Sequence, residues 1–263
     1  MSSPPVVLSI AGTDSGGGAG LAADLTTFAA LGAHGTCAVT AVTAQDTTGV
    51  HRVVSLSAAD VQSQVVAVLQ DLPVAAAKTG MLGSAEVACV VADLAAGSVP
   101  LVVDPVLTAT SGAVLGDDEL VTAYREVLLP RCTVVTPNLD EAVRLTGLDP
   151  DRPAVEIARA LHEIAPAVVL TGGDPWTRTC RDVVVDGSGH LEIFEHPAVP
   201  TRNDHGTGCT FSAALAVHLA RGLDLHAAVT LAQEFVAAAL RVAAPWELGR
   251  GRGPVAHVLT HPH

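Results

Sequence analysis

The sequence predicts a layered α/β fold, a single domain over 1–263 built on a mostly parallel sheet, and three observations predict it. Short β-branched runs alternate with longer Ala- and Leu-rich stretches of helical length, which is the pattern of βαβ units. Hydrophobic residues make up 49% of the chain and charged residues only 16%, so much of each element must be buried on more than one side. A length of 263 residues suffices for one large core and is less comfortable for two.

Taken in order, the run 6–10 reads as a buried strand and leads through a Gly-rich loop into a helix containing Asp24. Runs 74–78, 101–104, 133–136 and 168–171 read as further buried strands. Between them, 58–72, 84–96, 117–128 and 154–164 have the length and composition of helices. Segments 181–186 and 191–196 flank Gly187-Ser188-Gly189-His190, the signature of an antiparallel hairpin appended to the sheet. The last third is helical: 210–221 ends before Gly222, a suitable C′ residue, and 225–242 forms a second long helix ahead of a tail containing Gly and Pro. No fixed-period repeat or linker interrupts the chain. Right-handed crossovers place the loops after successive strands along one edge, where open α/β sheets bind ligands. Closure over such a ligand is expected from loops, at 45–50 or after Pro105, rather than from a separate lid.

A formal charge of −13 offers no broad positive surface for a phosphate backbone, which excludes nucleic acid as an expected partner and leaves a small anion in a local pocket. The five cysteines are widely spaced and show no metal-ligand pattern, as expected in a reducing cytosol. The opening MSSPPVVLSI has no basic region before its apolar stretch, and no uninterrupted apolar run is long enough to cross a bilayer, so neither export nor a membrane partner is expected. Lys78 is the single lysine and reads as compositional bias.

Three motifs carry chemistry. AGTDSGGGAG, 11–20, follows the first strand; it has neither the dinucleotide fingerprint nor a Walker ending, and it reads equally as a tight turn or as a loop that brings backbone to a ligand. NDHGTGCTFSAAL, 203–215, places two glycines around Thr207 at the head of an apolar helix. The unpaired N–H groups and partial positive charge of a helix start make Gly206, Thr207 and Gly208 an anion hole. A thiol there, Cys209, is expected to have its pKa lowered toward neutrality, which suits a general base. In TPNLDEAVRL, 136–145, Asn138 and Glu141 have the spacing of a capping box, and the same carboxylate could hold magnesium beside nucleotide phosphates. Asp104, at a strand's carboxyl end, carries the same two readings.

The ordered set AGTDSGGGAGLAADL, AVTAQDTTGV, KTGMLG, VVDPV, TPNLDEA and HGTGCTFSAAL, with the closing GRGRGPV, resembles the pyrimidine kinase branch of the ribokinase-like family across almost the whole chain. The resemblance implies a ribokinase-like three-layer α/β/α sandwich, most often a cytoplasmic homodimer. It implies use of ATP and Mg2+ to phosphorylate the hydroxymethyl group of a 4-amino-2-methylpyrimidine, and then the resulting monophosphate, on the route to thiamine. Carried onto this sequence, Gln45, Met81, Gly12, Asp24 and Thr43 belong to the substrate pocket. Cys209 takes the base position beside the amides of 206–209, Asp104 and Glu141 match magnesium positions, and Asn138, Thr171 and Gly173 match nucleotide positions. Thr110 stands where many relatives carry Lys, Thr171 and Asp174 alter a Lys-Gly-Gly-His stretch, and Asp204 adds a carboxylate beside the anion hole. Pyridoxal kinase of the same branch is the nearest alternative, and a catalytically silent pyrimidine-binding protein is a second, motivated by the missing lysines. No G-x-S-x-G elbow supports a hydrolase, and His205 is expected to order its loop rather than to do chemistry.

Overall fold

Residues 3–95, 99–109, 112, 114–172 and 178–257 are described by the computed structural model. Eight strands form one sheet in the order β10 (Leu191–Pro197), β9 (Thr179–Val185), β8 (Val168–Leu170), β7 (Val134–Val135), β6 (Leu101–Val103), β5 (Val74–Thr79), β1 (Val6–Ala11) and β2 (His34–Val39). From β2 to β8 all pairs are parallel, while β9 runs antiparallel to β8 and β10 to β9. The predicted parallel sheet and appended hairpin are both present.

Successive residues of each strand serve opposite faces, so apolar runs supply two cores at once. Leu8, Leu101, Val103, Val135, Val168 and Val183 pack beneath one helical layer. That layer comprises α2 (Ala58–Asp71), α3 (Ala85–Ala95), α4 (Asp118–Ala123), α5 (Leu139–Thr146) and α6 (Ala154–His162). Val7, Val102, Val134, Val169 and Val184 face the other, made of α1 (Gly20–Ala30), α7 (Thr207–Ala220) and α8 (Leu225–Ala243). The result is a three-layer α/β/α sandwich. The helix expected over 117–128 is broken: α4 passes into a π-helical turn at Tyr124–Leu128 and a 3-10 turn at Leu129–Arg131, where Pro130 prevents continuation.

The loop expected at 45–50 needs correction. The segment 34–55 holds three strands, and β3 (Ala41–Asp46) pairs antiparallel with β4 (Gly49–Ser55) as a separate two-stranded sheet. The stretch expected to be a free loop at 45–50 is therefore the turn of a hairpin flap, with Ala41 and Thr43 buried on its inner face. Helix α8 is long and apolar enough by length and composition to cross a membrane, but His226, Gln233, Glu234 and Arg241 interrupt it, so it is not the uninterrupted apolar run whose absence is expected. It instead buries Ala228, Val229, Ala232 and Val236 against the sandwich, and its Gln233 Nε2 donates to Asp182 Oδ2 at 2.7 Å.

Candidate active site

The carboxyl ends of β1, β5, β6, β7 and β8 open into one cleft of about 320 Å³, roofed by β3 and closed on one side by the start of α7. The chain leaves β1 toward β2 on one side and returns through β5 on the other, so the cleft lies at the switch point of the sheet. Gly12, Thr43, Gln45, Met81, Asp104, Asn138, Glu141, Thr171, Gly206, Thr207, Gly208 and Cys209 all line it. Of the residues expected here, Asp24 does not line it, and Gly173, Thr110 and Asp174 lie outside the described residues.

At the flap end the Gly-rich loop is wrapped around a carboxylate. Asp14 accepts from the backbone N–H groups of Gly16, Gly18 and Ala19 at 2.8, 3.1 and 2.9 Å, so these donors are spent within the loop rather than presented to a phosphate. His205 Nε2 stands 2.8 Å from Asp14 Oδ2 and 3.1 Å from the Gln45 amide. Burial opposes ionisation of Asp14, but the His205 and backbone hydrogen bonds hold its carboxyl below the usual range. His205 thus joins the Gly-rich loop and the flap just ahead of the start of α7. Thr43 lines the cleft, yet its Oγ1 donates to Thr13 O at 2.8 Å and so ties flap to loop. A Cβ on Gly12 would sit 2.5 Å from Met81 Cε, so the absence of a side chain there is what lets Met81 lie across the pocket wall.

Beneath the cleft floor runs a line of buried charge. Asp24 is fully buried on α1, where it accepts from Ser9 Oγ at 2.5 Å and from Lys78 Nζ at 2.8 and 2.9 Å. Lys78, also fully buried, lies 3.8 Å from Asp104 Oδ2, which in turn accepts from Ser212 Oγ of α7 at 2.9 Å. Burial works against the Lys78 ammonium, but Asp24, Cys209 and Asp104 together raise its pKa and keep it charged. Asp24 therefore supports the site from below instead of touching substrate, because helix α1 packs it against β5. Lys78 was readable in the sequence as a lone lysine in an otherwise apolar strand, a position lysine rarely takes without a partner.

Asn138 and Glu141 form the capping box: Asn138 Oδ1 accepts from Glu141 N, and Glu141 Oε2 accepts from Asn138 N, both at 2.9 Å. The capping and ligand readings are compatible, since Asn138, Glu141 and Asp104 share the cleft wall. Burial pushes the Glu141 carboxyl up to about 8, and the charge of Asp104 adds to the rise. Two buried carboxylates that oppose each other's ionisation fit a divalent cation. Among the described residues there is no cluster of three His, Cys, Asp or Glu, so such a cation would complete its shell with phosphate oxygens and water, as Mg2+ does.

Helix α7 begins three residues before the expected position 210, so Thr207, Gly208 and Cys209 form its first turn. Gly206 is its N-cap at φ +87, where a Cβ would meet Gly18 O at 1.8 Å. Gly206→Ala is therefore expected to force the two loops apart and lower stability by about 2–4 kcal/mol, combining left-handed strain with overpacking; thermal unfolding and ADP affinity measured together would register it. Among the described residues the N–H groups of Gly208 and Cys209 have no backbone hydrogen-bond acceptor, as at the open start of a helix. The expected depressed thiol pKa is not found. Burial pushes Cys209 up to about 12, with Lys78 pulling down and Asp104 and Asp24 adding to the rise. The helix start and one ammonium do not outweigh desolvation beside two carboxylates.

Comparison with known proteins agrees with this geometry. The phosphomethylpyrimidine kinase family model matches residues 14–256. A hydroxymethylpyrimidine/phosphomethylpyrimidine kinase of Rhizobium meliloti is 46% identical over 259 residues, covering 96% of each chain. Among solved structures, pyridoxal kinase from Staphylococcus aureus in complex with AMP-PCP and pyridoxal has a TM-score of 0.86 at 34% identity, covering 97% of this chain and 94% of that one. A phosphomethylpyrimidine kinase from Clostridium difficile has a TM-score of 0.76 at 31% identity, covering 89% and 98%.

Proposed function

The chain belongs to the phosphomethylpyrimidine kinase family, and on that premise we propose that it transfers the γ-phosphoryl group of ATP to hydroxymethylpyrimidine and then to the monophosphate so formed, within thiamine biosynthesis. The observation that carries this reading is the convergence, in one cleft, of Gln45, the Asp104–Glu141 carboxylates and the open N–H groups of the α7 start.

Gln45 presents an amide able to donate and accept, the pairing a 4-aminopyrimidine edge requires. Gln45 Nε2 lies 3.1 Å from His205 Nε2, which also stands 2.8 Å from Asp14 Oδ2, so the flap amide is held against the Gly-rich loop at the edge of the cleft. The hydroxymethyl oxygen bonds to the γ-phosphorus, the bond from that phosphorus to the β-bridging oxygen breaks, and ADP leaves with the electron pair. The hydroxyl proton passes to Cys209 Sγ in its thiolate form, which becomes the thiol. The Gly208 and Cys209 N–H groups bind the oxygens of the transferring group, where charge accumulates. Bound Mg2+ would supply positive charge against the nucleotide phosphates, held by Asp104 and Glu141. Asn138, Thr171 and Gly173 are assigned to the nucleotide side, Thr171 through its place beside Asn138 on the cleft wall.

The same proposal keeps a single domain over 1–263 working in the cytoplasm as a homodimer; Val42 and Val54, paired across the flap, give its outer face an exposed apolar strip suited to a partner, and a solution mass of one 26.6 kDa chain would remove the dimer. Pyridoxal phosphorylation is a second reading, favoured by the TM-score of 0.86 to the S. aureus pyridoxal kinase. Incubation with ATP and Mg2+ should yield both the mono- and the diphosphate of hydroxymethylpyrimidine by chromatography. Tight binding without turnover would establish the silent binder.

A further inference from the structure

The carboxylate that Asp204 adds beside the anion hole has a partner in the closing segment of the chain. Arg252 donates Nε–H to Asp204 Oδ1 at 2.7 Å and donates from Nη2 to Oδ2. This fork uses one edge of the guanidinium and leaves its remaining N–H groups, on a side chain still 53% exposed, without a partner among the described residues. The backbone behind it is fixed. Arg250 N and Gly251 N both donate to Thr47 Oγ1 in the flap turn at 3.1 Å, while His205 N donates to Gly253 O at 3.0 Å. Arg252 is thus pinned between the flap and the anion hole.

Charge makes this placement consequential. Asp14, Asp104, Glu141 and Asp204 all line the cleft, and among the described residues Arg252 is the only lysine or arginine that does. A neutral alcohol entering there meets little opposition. A phosphate monoester carries nearly two negative charges at neutral pH and must enter a cleft lined by four acidic side chains. Arg252 also lies at the substrate end: a second cavity of about 390 Å³ behind the flap turn shares Gln45, His205 and Arg252 with the main cleft. Thr171 and Asn138 mark the opposite, nucleotide end.

We propose that Arg252, oriented by Asp204, binds the phosphate of the monophosphate substrate, so that the second phosphorylation depends on it more heavily than the first. Asp204 is then the positioning residue, trading a repulsive charge for a guanidinium held in a fixed direction. The inference rests on the pyrimidine kinase reading of the same cleft.

The test compares wild type, Arg252→Gln and Arg252→Lys. Measured quantities are kcat/KM for hydroxymethylpyrimidine and for its monophosphate at saturating ATP, and calorimetric affinities for the monophosphate and for ADP without turnover. Arg252→Gln should lower the monophosphate-to-alcohol ratio of kcat/KM roughly 10- to 100-fold, the size of a lost charged hydrogen-bond pair, mainly through KM. Arg252→Lys should restore part of it, and ADP affinity should fall by less than about threefold. Equal losses on both substrates would make Arg252 a structural tie, and an equal loss of ADP affinity would place it on the nucleotide; either overturns the proposal. If wild type turns over neither substrate, it is the kinase reading that fails. The monophosphate affinity then still decides, since an unchanged value in Arg252→Gln overturns the inference alone.

Discussion

Lys78→Met is expected to lower the unfolding free energy by about 3–5 kcal/mol, the cost of removing one partner from a buried ion pair. The ammonium is fully buried between Asp24, at 2.8 Å, and Asp104, at 3.8 Å. Without it, among the described residues Asp24 retains only Ser9 and Asp104 only Ser212 as side-chain donors. Both carboxyls, already pushed up by burial against the pull of Lys78, would take up protons. The damage should be greatest at neutral and alkaline pH, where protonating two buried acids is most costly, and should ease as pH falls. Replacing the pair together, Asp24→Asn with Lys78→Met, should recover the part of the loss that comes from Asp24, which is then neutral and of similar size, while Asp104 still lacks its cation. Urea unfolding of the three proteins checks this. A Lys78→Met variant within about 1 kcal/mol of wild type would mean that the buried line of charge does not support the fold.

Cys209→Ala is expected to lower kcat by about 10²- to 10⁴-fold, the usual contribution of a positioned general base, while thermal stability changes little because a single atom is removed from a partly exposed residue. The raised pKa gives this prediction a second edge. The acceptor form is the thiolate, and burial pushes the thiol up to about 12. In wild type, kcat/KM for hydroxymethylpyrimidine should therefore rise with pH from 6 toward 9, whereas a base poised near neutrality would already have levelled off. The alanine variant should lose that dependence. A flat wild-type profile, or full turnover in the variant, would remove Cys209 from the proton's path and leave the α7 N–H groups as its main contribution to the reaction.

Much of the fold could be read from the chain because parallel strands buried on both faces appear as uninterrupted apolar runs; Val102 and Val103 in β6 already serve two different cores. The β9–β10 hairpin announced itself through Gly187 and Gly189. The flap did not. In β4 most residues are exposed, so Gly49–Ser55 shows neither an apolar run nor a clean alternation, and the turn at 47–48 carries no sequence signal as strong as Asn-Gly. The cleft walls were legible as motifs, but what lies under them was not. Motif spacing cannot distinguish Asp24 as a lining residue from Asp24 as the counter-ion of Lys78, because the difference lies in the direction α1 faces when it packs on β5. The depressed thiol expected of Cys209 failed for a related reason: a helix start is visible in sequence, whereas Asp104 and Asp24, 105 and 185 residues away along the chain, are brought beside it only by the fold. Asp204 reads in the sequence as an added carboxylate, whereas its partner Arg252 lies 48 residues further on and reaches it only because the closing segment folds back on the flap.

The central claim concerns which alcohol the cleft phosphorylates. It is tested most directly by kcat/KM for hydroxymethylpyrimidine and for pyridoxal, measured side by side with ATP and Mg2+. Gln45, held by His205 and Ser15, predicts a clear preference for the pyrimidine, at least tenfold, about 1.4 kcal/mol of transition-state discrimination. A preference for pyridoxal would contradict the account.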